Sequence, residues 1–152
     1  MATTVARKAG EGTSYWVLGG LYEVKVSSEE SGGAVTVMEM TVPAGYGPPP
    51  HTHDCTEIVY VIDGAATFHI EGETVEGGPG AVFHFPPGTT ETFEPNGQVR
   101  VLCTYLPGGI DKFFVEVGEP ALSHTVPPPS DTPPDIAAVV AAGERYGVHI
   151  TT

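Results

Sequence analysis

The sequence is poor in basic residues. Only 6 of its 152 residues are Lys or Arg, against 19 Asp and Glu, which gives a formal net charge of −13. Such a charge repels phosphate backbones and anionic lipid surfaces, so the composition argues against nucleic acid and membrane partners.

Cysteine and long apolar runs are also scarce. The two cysteines, Cys55 and Cys103, cannot form a disulfide framework in a chain of this length, and we expect two reduced, partly buried thiols. No run approaches the roughly 18 apolar residues of a membrane helix. The stretch MATTVARKAGEGTSYW lacks the apolar core of a secretory signal. We therefore expect a cytoplasmic protein.

Glycine and proline, by contrast, are abundant, with 20 and 15 residues. They favour many short strands joined by turns over long helices. β-rich segments bounded by turn residues recur from about residue 14 to residue 107, which predicts an all-β barrel of the jelly-roll kind. Residues 108–147 then predict a short helix or turn, a proline-rich arm and a C-terminal helix. All these elements fit a single domain over residues 1–152.

One short stretch carries a metal-binding pattern. His51, His53 and Glu57 follow the spacing H-x-H-x3-E, just before an apolar run. Residues two apart on a strand face the same side, so the two imidazoles project together, and Glu57 joins them if the chain turns between residues 54 and 56. Two imidazoles and a carboxylate suit a divalent transition metal. Cys55 lies between these residues, as a pocket neighbour or, by its parity, a further ligand.

This stretch resembles the first conserved motif of the cupin superfamily, G-x5-H-x-H-x3,4-E-x6-G, in which Gly45 and Gly64 frame the three side chains. The second cupin motif, G-x5-P-x-G-x2-H-x3-N, is matched at Gly80, Pro86 and Gly88. The resemblance implies the cupin fold, a double-stranded β-helix or jelly-roll barrel. It also implies a metal site inside the barrel.

The second motif departs from the pattern at its metal ligand. Where that motif has a histidine, this chain has Glu91, which implies the ligand set His51, His53, Glu57 and Glu91. A second carboxylate hardens the set and favours Mn, Fe(II) or Zn over Cu.

Three other arrangements remain open at this point. Glu91 can lie outside the ligand set, for example as an exposed turn residue, and a facial triad of two histidines and one carboxylate with free coordination positions then remains. His84, beside the second motif, can replace the missing ligand from another strand. Without a metal, the two carboxylates Glu57 and Glu91 can form an acid/base pair.

The flanking sequence is similar to small single-domain cupins of the quercetin 2,3-dioxygenase-like type. That resemblance implies a metal-dependent oxidoreductase, a dioxygenase that uses O2 on a flavonol-like or polyketide-like enolisable aromatic substrate. Glu57 and Glu91 are its expected catalytic residues, and the divalent ion is Mn, Fe, Ni, Co or Zn. The residues expected to line its substrate pocket are Met38, Met40, Phe83, Phe93, Tyr105 and Phe113.

Two alternatives to the dioxygenase stay open. One is a non-oxidative cyclase, isomerase or dehydratase of a secondary-metabolite pathway, and the other is a non-catalytic small-molecule-binding cupin. Cupins of this size commonly form homodimers, and the N-terminal strand or the proline-rich arm is the expected contact.

Overall fold

The computed structural model describes residues 2–151. Strands dominate the described chain, and two short helices lie in its C-terminal third. The strands are β1 (Thr13–Val17), β2 (Gly20–Val26), β3 (Thr36–Val42), β4 (His51–His53), β5 (Thr56–Asp63), β6 (Ala66–Ile70), β7 (Glu73–Gly77), β8 (Val82–Phe85), β9 (Glu91–Pro95), β10 (Val99–Leu106), β11 (Glu119–Pro120) and β12 (Val148–Ile150). The helices are α1 (Ile110–Val117) and α2 (Ile136–Arg145).

The strands form two antiparallel sheets. One sheet has seven strands in the order β11-β1-β2-β3-β10-β5-β8, and the other has five in the order β12-β4-β9-β6-β7. Consecutive strands such as β4 and β5 lie in different sheets, so the chain crosses repeatedly between the two layers. This is the jelly-roll arrangement of a cupin barrel, and it confirms the all-β prediction with a C-terminal helix.

The core follows from the alternation of residues along the central strands. In β3, Thr36, Met38, Met40 and Val42 are buried, while the residues between them are half-buried. In β10, Val99, Val101, Cys103 and Tyr105 repeat the pattern. Because side chains alternate across a strand, both strands give one face to the barrel interior.

A glycine of the first motif has a structural explanation. Gly64 has φ 72° at the end of β5, a left-handed conformation that glycine adopts without a steric penalty. A Cβ at this position would lie 2.0 Å from the carbonyl oxygen of Gln98. The turn after β5 therefore needs glycine for its conformation and for this close approach.

The C-terminal segment closes back on the barrel. Asp135 caps α2, since its Oδ1 accepts a hydrogen bond from the backbone N–H of Ala138 at 3.1 Å. After α2, β12 pairs with β4, the strand that holds His51 and His53. The short strands β11 and β12 were not predicted, because two or three residues carry no measurable periodicity. Within the described range, 2–151, no helix has the length and apolar character needed to cross a membrane.

Candidate metal centre

Three strands from both sheets place four side chains at one point inside the barrel. His51 and His53 lie on the same face of β4, and Glu57 follows on β5 in the opposite sheet after one turn. Glu91 opens β9 and is the direct register partner of His51. All four side chains are buried, with exposed fractions between 3% and 9%.

The four side chains are close enough to share one ion. Each offers one ligand atom, and these atoms lie within 4.8 Å of one another. His51 Nε2 is 3.2 Å from Glu91 Oε1, and His53 Nδ1 is 3.7 Å from Glu57 Oε1. Ligand atoms about 2.0–2.2 Å from a metal are at most about 4.4 Å apart, so the cluster needs to contract by only a few tenths of an ångström.

The proline loop before β4 orients His51. Its Nδ1 lies 2.8 Å from the carbonyl oxygen of Pro49, which can only accept, so Nδ1 carries the hydrogen. In the neutral ring this leaves the lone pair on Nε2, the atom that faces Glu91. In metal-binding histidines generally, a hydrogen bond from the ring nitrogen that does not bind the metal fixes the tautomer and the orientation of the ring.

Two carboxylate oxygens in the cluster have no partner. Among the side chains of residues 2–151, Glu57 Oε1 and Glu91 Oε2 are buried without any hydrogen bond. A buried carboxylate oxygen without a donor is costly, and a cation removes that cost. The donor set of two imidazoles and two carboxylates, with these two open acceptors, therefore fits a divalent ion.

Burial shifts the protonation of the cluster. Burial, with the nearby Glu91 charge, raises the pKa of Glu57 to about 8, and burial raises the pKa of Glu91 to about 7. Burial also lowers the pKa of His53 to about 4, so that its imidazole is neutral at neutral pH. A neutral imidazole is the form that binds metals. The protein without metal thus holds protons between its two carboxylates, which a bound cation would displace.

The cluster forms one end of an apolar cavity. Tyr22, Met40, Phe68 and Phe93 line its walls from the two sheets. Helices α1 and α2 and strand β12 cover it with Phe113, Phe114, Ile136, Val139, Val148 and Ile150. The space open to the centre of a water molecule is about 110 Å³, several times what one water needs. The cavity can therefore admit a small organic molecule beside the cluster.

Four of the six predicted pocket residues line this cavity, namely Met40, Phe93, Tyr105 and Phe113. Met38 and Phe83 do not. Met38 is fully buried on the same face of β3 as Met40, but it lies one inward position before Met40 in the strand. Phe83 lies behind Phe68 and stacks on it with ring centroids 4.1 Å apart.

Two of the alternative ligands do not reach the cluster. His84 is exposed on β8, because Phe85 beside it takes the inward position opposite Glu57. Cys55 lies in a separate depression with Pro107 and Gly109, and burial raises the pKa of its thiol to about 11. The alternative of an exposed Glu91 is also wrong, since that side chain is buried.

Several residues of the site escaped prediction. Tyr22 on β2 and Cys103 on β10 line the cavity, and no sequence signal distinguished them from ordinary buried residues of these strands. Cys103 Sγ lies 3.8 Å from Met40 Sδ. Val148 and Ile150 line the cavity because β12 pairs with β4. No local sequence pattern predicts this pairing.

Comparison with known proteins finds a family match over part of the chain. The cupin domain model matches residues 38–105, which include the whole cluster. Quercetin 2,3-dioxygenase of Bacillus subtilis is 24% identical over 122 residues, a match that covers 79% of this chain and 36% of that protein. The chain thus spans little more than a third of this curated relative.

Solved structures agree on the fold. A polyketide cyclase from Streptomyces resistomycificus superposes with a TM-score of 0.60 at 18% identity, over 68% of this chain and 80% of the cyclase. An RmlC-like cupin from Shewanella frigidimarina gives a TM-score of 0.62 at 16% identity, over 74% of this chain and 99% of that protein. Residues 38–105 therefore match the cupin domain, and the described chain folds as a jelly roll around a buried His/His/Glu/Glu group that could bind a metal ion.

Proposed function

We propose that the chain is a metal-dependent oxidoreductase, a dioxygenase resembling quercetinases, that acts on a flavonol-like or polyketide-like enolisable aromatic substrate. The observation that carries the proposal is the position of the buried cluster at the end of an apolar, aromatic-lined cavity. The similarity to quercetin 2,3-dioxygenase over most of the chain supports it.

The cluster would hold one divalent transition metal, Mn, Fe, Ni, Co or Zn, through His51, His53, Glu57 and Glu91. A bound ion supplies Lewis acidity toward a substrate hydroxyl and, when it is redox-active, a means of electron transfer to O2. Carboxylate-rich ligand sets of this kind favour the harder ions of the series.

The protein's own contribution is proton transfer and exclusion of water. Glu57, a buried carboxylate of the cluster, is the base that we assign to the substrate hydroxyl. Tyr105, its cross-strand neighbour, donates a hydrogen bond to Glu57 and would help to orient that carboxylate. The apolar walls keep bulk water away from the ring of the substrate.

Oxygen uptake tests this proposal. Protein stripped of metal and reloaded separately with Mn, Fe, Co, Ni or Zn is mixed with a flavonol in an oxygen electrode. We expect uptake with at least one redox-active ion and none with Zn, which cannot change oxidation state. Absence of uptake with every ion would contradict the dioxygenase.

A second function is favoured by one feature, the carboxylate Glu91 in place of the motif histidine. Two adjacent carboxylates with raised pKa values can act as an acid and a base in a cyclisation, isomerisation or dehydration. Formation of product from a polyketide-like substrate under strict anaerobiosis would favour this function over the first.

Metal analysis of the Glu91→His and Glu91→Ala variants tests the role of Glu91. If Glu91 is a ligand, Ala lowers the metal content and His restores it with a changed preference among the ions. Glu94→Gln is the matched control, because Glu94 lies on the same strand and its side chain is 75% exposed. Equal metal content in all four proteins would remove Glu91 from the ligand set.

A further inference from the structure

The described residues that line the cavity include two glutamates and two histidines but no Lys or Arg. The chain has six Lys and Arg residues, all inside the described part of the sequence, and none of them lines the cavity. Four are paired elsewhere: Arg7 with Glu30, Lys25 with Glu23, Arg100 with Glu39 and Arg145 with Glu116. Among the described residues that line the cavity, the two histidines of the cluster are the only groups that can carry a positive charge.

The remaining polar groups of the cavity are neutral. Tyr22 and Tyr105 contribute phenols, and the ring of Tyr22 is held by an edge contact with Phe114 at 5.0 Å between centroids. The hydroxyl of Thr92 is already used, since it donates to the carbonyl oxygen of Pro48. A ligand in this cavity therefore meets hydrogen-bonding groups without charge and apolar walls.

From these two observations we propose that the cavity selects uncharged ring molecules that carry a hydroxyl group and rejects carboxylates and phosphates of the same size. The inference rests on the proposed function in one respect, that the substrate binds in this cavity. The features that determine this specificity are the Tyr22 phenol and the absence of Lys and Arg from the residues that line the cavity.

The physical reason is charge balance in an apolar space. Two glutamates match the charge of one divalent ion, which leaves no net positive charge for an anionic ligand. A carboxylate or phosphate must also give up its hydration, and no Arg or Lys replaces the lost water. A neutral hydroxyl loses far less on transfer and can form a hydrogen bond with the phenol of Tyr22.

Two fluorescent probes of nearly equal size separate the alternatives. 2-Naphthol is uncharged at pH 7, and 2-naphthoate carries one negative charge on the same ring system. Equilibrium dialysis with Zn-loaded and with metal-free protein gives both affinities without any turnover. We expect naphthol to bind at least about tenfold more tightly than naphthoate in both forms. Equal affinities, tighter binding of naphthoate, or binding of neither probe would overturn the proposal.

A matched pair of variants places the selection in this cavity. Ile136 lines the cavity rim and is 53% exposed, so Ile136→Lys brings a cation to the opening without burying it. Leu122→Lys adds the same charge on the arm, at a residue that is 87% exposed and away from the cavity. We expect Ile136→Lys to reduce the preference for naphthol severalfold and Leu122→Lys to leave it unchanged. Identical behaviour of the two variants would contradict a selection made in the cavity.

The binding preference can be measured whether or not the protein is a dioxygenase. Protein that prefers naphthol but never consumes O2 would refute the dioxygenase and keep the charge selection. Protein that consumes O2 with a flavonol but binds naphthoate equally well would do the reverse.

Discussion

Asp111 and the pair Glu57–Glu91 are buried carboxylates of the same domain with opposite surroundings. Asp111 Oδ2 accepts hydrogen bonds from the backbone N–H and the hydroxyl of Ser28, both at 3.1 Å, and its Oδ1 accepts one from Thr36 Oγ1 at 2.7 Å. Glu57 and Glu91 each keep one buried oxygen without any partner in the described chain. The chain itself satisfies Asp111, which ties α1 to the barrel, whereas each of the two glutamates keeps a buried oxygen that a bound cation would satisfy.

The largest expected effect concerns the cluster. Glu57→Ala removes a ligand and should weaken metal binding by more than about 100-fold, since loss of an outer-shell contact alone costs about 10–100-fold. The metal-free protein should lose little stability, because the change also relieves the crowding of two buried carboxylates. Metal titration followed by calorimetry, with Glu94→Gln as the control, measures both. Unchanged metal affinity in Glu57→Ala would mean that Glu57, like Asp111, is not a metal ligand.

The converse change is Asp111→Ala. It leaves the Ser28 and Thr36 donors unsatisfied in a buried place, so we expect the free energy of unfolding to fall by about 2 kcal/mol. Metal affinity should stay within about twofold of the parent, because Asp111 is not in the cluster. Urea unfolding of the metal-free protein gives the first value. If Asp111→Ala lost metal binding but kept its stability, Asp111 would serve the metal site and its structural role would be contradicted.

The sequence predicted the cluster because its spacing is a local property. The H-x-H-x3-E stretch needs only one short strand and one turn to converge, and Glu91 could be placed by its position in the second motif. Asp111 had no such pattern, since its partners Ser28 and Thr36 are 83 and 75 residues away along the chain. Networks that join distant segments become visible only when the topology is known.

The pocket shows the same limit on a finer scale. Alternation along β3 correctly placed Met38 and Met40 on one inward face, but it could not tell which of them reaches the cavity. The cover of the cavity also depends on β12, whose register against β4 is set by packing of the C-terminal segment. Parity predicts the face of a strand, while depth along the barrel depends on neighbouring strands.

An intermediate effect is expected in the pH dependence of stability. The pKa of Glu57 is raised to about 8 in the folded protein, against about 4.3 for an unfolded glutamate. The folded state therefore binds more protons, and this contribution to stability is lost as pH rises through about 8. His53, with its pKa lowered to about 4, acts in the opposite direction only at more acidic pH.

Thermal unfolding of the metal-free protein between pH 7 and pH 8.5 measures this loss. We expect the melting temperature to fall over that interval and the Glu57→Gln variant to show a smaller fall. Saturating metal should flatten the profile, because the ion displaces the protons and binds the folded state. A flat profile in the metal-free protein would mean that the cluster carboxylates resemble Asp111 in being satisfied by the chain.

The smallest expected effect lies in the loop that orients His51. Pro50 restricts Pro49 to extended conformations, and the Pro49 carbonyl holds His51 Nδ1 at 2.8 Å. Pro50→Ala keeps that carbonyl but loosens the loop, so we expect metal affinity to fall by about twofold to fivefold, in line with the few tenths to one kcal/mol of such substitutions. Pro129→Ala is the matched control, an exposed proline of the arm that also ends a run of three prolines. An equal change in both variants would mean that the cluster owes its geometry to the strands alone, and that the loop contributes no more to it than the distant arm does.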